Sequence, residues 1–131
     1  MRSVKSVWLL ALVVSACSDA AAFGSITGKW AEDFSIPGSS MGMDLTVSGS
    51  VVSGSGDWCG EAGPCGTLSV AGMIDGTAVH LDLSFTQTIP QPGPTRIQHF
   101  DGRLTSANAL QGSITTDTPG QPAGHIGFHR V

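Results

Sequence analysis

Four histidines and a scatter of carboxylates are the residues of this chain best equipped for acid–base or metal chemistry. His125 and His129 lie four apart, so on a strand they would share a face about 13 Å from one another, too far for one metal ion. Ile126 and Phe128 claim the interior between them, which turns both histidines outward. His80 also faces outward, beside Asp82, while parity leaves His99 undetermined. A metal centre would need convergence across strands, which spacing along one chain does not reveal. Solvated strand histidines are therefore the expectation, and no metal ligand is assigned. Glu32, Asp33, Asp44, Asp57 and Asp82 are scattered along the strands, with only Glu32 and Asp33 adjacent. Glu32 shares the parity of Trp30 and is expected at a rim, at the end of its strand. No serine sits in a Gly-x-Ser-x-Gly elbow before a helix. The Gly/Ser run from Gly49 to Gly56 lacks the helix and lysine of a phosphate loop. No catalytic constellation and no cofactor is expected, so the chain reads as non-enzymatic.

The elements that would position these residues are short strands. Thr27 to Phe34 is the first, with Trp30 inward, followed by a turn at Pro37-Gly38-Ser39. Met41, Met43, Leu45 and Val47 alternate with polar or small residues, the clearest period-two run in the chain. Val51 to Trp58 is a Gly/Ser-rich third strand, whose small residues suggest bending or close backbone approach. The fourth runs from Gly66 to Ile74, and Asp75-Gly76 predicts a type I′ hairpin into the fifth. There Val79, Leu81, Leu83 and Phe85 point one way. Three prolines between Ile89 and Pro94 exclude a strand. In the sixth strand, Thr95 to Leu104, Ile97 and Phe100 lie three apart, and a bulge would place both inside. Ala109 to Thr116 and Gly124 to Val131 complete the set. Eight short strands with one longer link and no long crossover predict an all-β, single, small antiparallel up-and-down barrel over residues 27–131.

Composition narrows the class. The chain has 131 residues, enough for one domain, with 18 glycines and no tyrosine. Charged residues make up 12 % and are not clustered, which argues against a nucleic-acid surface. At the start, Arg2 and Lys5 precede the apolar run from Val7 to Val14, too short to span a membrane but suited to a signal peptide. Without those two cations four basic residues face ten acidic ones, a formal charge of −6.

The run ends in Val14-Ser15-Ala16-Cys17, which resembles the bacterial lipobox. The resemblance implies a signal peptide over residues 1–16, a lipidated Cys17 and a tether over 17–26. Several acyl chains give stable anchoring where one would be marginal. The alternative is an ordinary secretory signal, cleaved after Ala16 or within Ala20-Ala21-Ala22. Ser18 directly after Cys17, rather than Asp, implies by the same resemblance the periplasmic face of the outer membrane. In an exported chain Cys59 and Cys65, flanking a five-residue loop between strands, are expected to form a disulfide.

Gly28-Lys29-Trp30 near the start and Arg130 near the end resemble the calycin pattern of lipocalins and avidins. The resemblance implies that Trp30 plugs one end of the barrel and that Arg130 packs across its ring. For such a barrel the first expectation is a small apolar ligand, in an open cavity lined by Met43, Leu45, Leu81 and Leu83 with the proline-rich loop at its mouth. The avidin aromatic clamp has no counterpart, since the other tryptophan downstream is Trp58, so biotin is not implied. The expected partners are a membrane, through the lipid, and either that ligand or another envelope component. A protease-inhibitor-like role and a purely structural one are the alternatives.

Overall fold

The computed structural model describes residues 24–33 and 39–131; the signal segment, Cys17 and the expected Pro37-Gly38 turn lie outside them. The described residues contain eight strands: β1 (Gly28–Glu32), β2 (Ser40–Ser48), β3 (Val51–Cys59), β4 (Cys65–Asp75), β5 (Ala78–Ile89), β6 (Thr95–Ser106), β7 (Ala109–Thr116) and β8 (Gly124–Arg130). Each pairs antiparallel with its sequence neighbour, and β8 returns to β1 to close the barrel. Closure is made by Trp30 opposite Arg130, Ala31 opposite His129 and Glu32 opposite Phe128. No strand is left with a free edge, so every ladder has a partner on both sides.

Alternation decides what fills the interior. Trp30, Leu45, Leu81, Leu83, Leu110 and Phe128 are all essentially inaccessible to solvent. Phe100 and Phe128 meet edge to face with ring centroids 5.4 Å apart, a geometry that aromatic quadrupoles favour. The inward positions of β3 are Val52, Gly54, Gly56 and Trp58, and here the glycines have a steric reason. A Cβ on Gly56 would lie 1.9 Å from the carbonyl oxygen of Gly42 on β2. The strands coil so tightly at that point that only a residue without a side chain fits, as the Gly/Ser pattern had suggested.

Three local expectations are corrected. Ile97 lies outside, 45 % exposed, and no bulge brings it in: β5 and β6 pair without interruption from Ala78–Arg103 to Thr86–Thr95. The shift in β6 falls instead between Leu104 and Ser106. Next, β5 continues through Ile89, so the proline segment begins one residue later. The β4–β5 loop is Gly76-Thr77 with positive φ at Gly76 alone. That excludes the type I′ turn, which needs positive φ at both positions; glycine first is the type II′ arrangement.

The six links that lie wholly among the described residues divide between two ends. The β2–β3, β4–β5 and β6–β7 hairpins share one end with the start of β1 and the finish of β8. The disulfide loop, the proline segment and the β7–β8 loop share the other. Cys59 and Cys65 are direct cross-strand partners and are bonded, closing the β3–β4 link. Removing that short loop's freedom from the unfolded chain stabilises the fold by about 2 kcal/mol.

Candidate functional site

The hairpin end is sealed. Trp30 is 1 % exposed and its indole N–H donates to the carbonyl oxygen of Ile26 at 2.9 Å. The Arg130 guanidinium lies 4.5 Å from the centre of the Trp30 ring, where a cation is favoured by ~1 kcal/mol. Arg130 also donates to the carbonyl oxygens of Ala107, Thr27 and Ser25, tying the β6–β7 hairpin and the entering chain to the closing strand. Gly28 is constrained twice: its φ is +134°, and a Cβ there would sit 2.8 Å from Arg130 Nη1. So the Gly-x-Trp spacing and the distant arginine form one stopper.

The opposite end is open, with a cavity of about 520 Å³. Its floor is apolar: Met41, Trp58, Phe85, Ile114 and Ile126. Trp58 packs edge to face on Phe85 at 6.0 Å and donates its N–H to the Thr67 carbonyl oxygen. Glu32, Arg96, Gln87 and Gln98 stand around the mouth, with Pro64 and Pro94 from the two flanking loops. Partial burial, with Asp33 adding to it, pushes the Glu32 carboxyl up to about 7. The lining thus pairs a greasy base with one guanidinium, two amides and a carboxyl that is half-protonated near neutrality.

The cavity is not where the sequence placed it. Leu45, Leu81 and Leu83 have no exposed surface, and Met43 is 3 % exposed. These four belong to the packed middle of the barrel, because the large side chains of β5, β6 and β8 meet there and leave no space. Open volume begins at the next inward positions, Glu32 on β1, Met41 on β2 and Phe85 on β5. Glu32 stands at the rim as its parity implied, and Pro94 reaches the mouth.

The histidines are also not the separate solvated side chains expected. On the outer wall of β5 and β6, Asp82 Oδ1 accepts from His80 Nε2 at 3.1 Å and from His99 Nδ1 at 2.6 Å. The far nitrogens donate as well: His80 Nδ1 to Asp101 at 2.6 Å, His99 Nε2 to Asp117 at 2.9 Å. The two imidazoles lie near-parallel, 6.3 Å apart. The hydrogen bond to Asp101 holds the His80 imidazole above its ordinary range, and that to Asp82 does the same for His99. The His99 bond in turn holds the Asp82 carboxyl low. The legible signal was a repeated His-x-Asp: His80-Leu81-Asp82 and His99-Phe100-Asp101. Antiparallel pairing sets each histidine opposite the other strand's aspartate, His80 to Asp101 and Asp82 to His99. His125 and His129 do face outward, bonded to Gln111 and Asp33.

Compared with known proteins, the chain matches no protein family, no curated protein and no solved structure. What defines it is therefore its own geometry: a closed eight-stranded antiparallel barrel, stoppered at one end and open at the other.

Proposed function

We propose that the chain is a non-enzymatic binding barrel that takes one small amphipathic molecule into its open end. The observation that carries this reading is the cavity between the disulfide and proline loops, apolar at its base and polar at its rim. A volume of about 520 Å³ suits a drug-sized ligand, and such sites combine an apolar lining with a few fixed polar groups. The ligand's apolar body would rest on Trp58, Phe85 and Ile114, with its polar head near Arg96 and the Gln87 and Gln98 amides. The stopper of Gly28, Trp30 and Arg130 supports a calycin-like reading of the architecture. Titration with the fluorescent amphiphile 8-anilinonaphthalene-1-sulfonate tests the site. One saturable site is expected, weakened at least tenfold by Ile114→Trp, which fills the floor; equal binding by that variant would remove the proposal.

We further infer that the barrel is held at an envelope membrane, facing the periplasm, by lipid on Cys17. The basic start, the apolar run from Val7 to Val14 and the Ser15-Ala16-Cys17 ending support this. Cys17→Ser should release the protein from the detergent phase in a bacterial host; retention of the variant there would contradict the anchor.

A further inference from the structure

We infer that His80, Asp82 and His99 form a binding site for a divalent transition-metal cation of the zinc type on the outer wall of the barrel. One ligand atom from each residue falls in a group no more than 4.8 Å across, and the atoms that face Asp82 Oδ1 are His80 Nε2 and His99 Nδ1. Ligand atoms bound to one tetrahedral zinc at about 2.0–2.2 Å stand about 3.3–3.6 Å from one another, so Asp82 Oδ1, now 3.1 Å from His80 and 2.6 Å from His99, need only draw back slightly to admit the cation. Two imidazoles and one carboxylate are a donor set for zinc, copper or nickel rather than for magnesium or calcium, which prefer oxygen alone.

The surroundings are those of a metal site rather than of a chance pair. A ligating imidazole ordinarily donates its other ring N–H to a carboxylate or carbonyl, which fixes its orientation and strengthens it as a donor. Both histidines already do so, His80 to Asp101 and His99 to Asp117. The backbone register of β5 and β6 sets all of this except Asp117, which follows β7. On binding, the protons that now face Asp82 leave to solvent, and the cation replaces them between the same three atoms. The Nδ1–H of His80 and the Nε2–H of His99 stay donated to Asp101 and Asp117. The side chains are 45 %, 46 % and 29 % exposed for His80, Asp82 and His99, so a fourth coordination position opens to water.

This site lies outside the barrel and does not depend on the cavity. Calorimetric titration of the full chain with zinc tests it, together with the visible absorption of the cobalt-substituted protein. Expected are one cation per chain with micromolar affinity and a cobalt spectrum of low-symmetry tetrahedral type. His80→Gln and His99→Gln should each weaken binding at least tenfold, while Asp101→Asn should weaken it several-fold. His129→Gln, on β8 and bonded to Asp33, should leave it unchanged. Thermal melts of each variant, taken without metal, establish that the barrel is intact. Absence of binding at 100 μM zinc overturns the assignment. So does binding that survives both His80→Gln and His99→Gln, or that is lost in His129→Gln.

Discussion

Glu32 shows how position along a strand converts an ordinary side chain into a pH-sensitive one. It sits at the last residue of β1, inward like Trp30, where the barrel wall withholds part of its hydration. Its carboxyl titrates near 7 in the folded chain against an ordinary value of 4.5. Between those two values the folded state keeps a proton that the unfolded state has lost. The stability contributed by Glu32 therefore falls as pH rises from about 4.5 to about 7, and that contribution levels off above. Because the group is half-exposed, solvent screening reduces the effect to about 1–2 kcal/mol. Glu32→Gln should flatten that part of the profile and make the protein more stable than wild type at pH 8, read from urea unfolding at a series of pH values. A variant with the same slope would show that Glu32 is not the group responsible.

The strands were readable from sequence wherever one face was consistently apolar. Met41 to Val47 and Val79 to Phe85 alternate cleanly, and their inward sets are those observed. Ile97 was not readable, because a single exposed isoleucine carries no parity of its own and Phe100 alone sets the face. Nor was the His80–Asp82–His99 group, since its convergence is a property of the β5–β6 register and not of either strand. The cavity was misplaced for a related reason: period-two patterning says which residues point inward, but not at which level the interior fills. The β3 glycines were legible as a class, and the structure supplies the contact behind them. Gly56→Ala would drive a Cβ into the Gly42 carbonyl. We expect it to cost about 3 kcal/mol or more by urea denaturation, whereas Ser55→Ala, on the outer face, should change stability by under about 0.5 kcal/mol. Equal effects would mean that the coiling at β2–β3 is not as tight as described.

At the scale of the whole molecule the barrel has an inside and an outside with separate chemistry. Its two described tryptophans mark the two ends: Trp30 within the stopper, Trp58 on the cavity floor. The stopper ties the first strand to the last through Arg130, and so serves closure rather than binding. The disulfide and the proline segment are neighbours on the rim, where Cys65 pairs with Ile89, and both flank the open cavity. If that polarity is what the fold is for, a bound molecule should be felt at one end alone. The direct measurement is the indole N–H signals in an NMR titration of the full chain with 8-anilinonaphthalene-1-sulfonate, assigned by Trp→Phe substitution. The Trp58 signal should move and saturate while the Trp30 signal stays in place. A Trp58 signal that does not respond, or a shift at Trp30 instead, would contradict the open-end binding site.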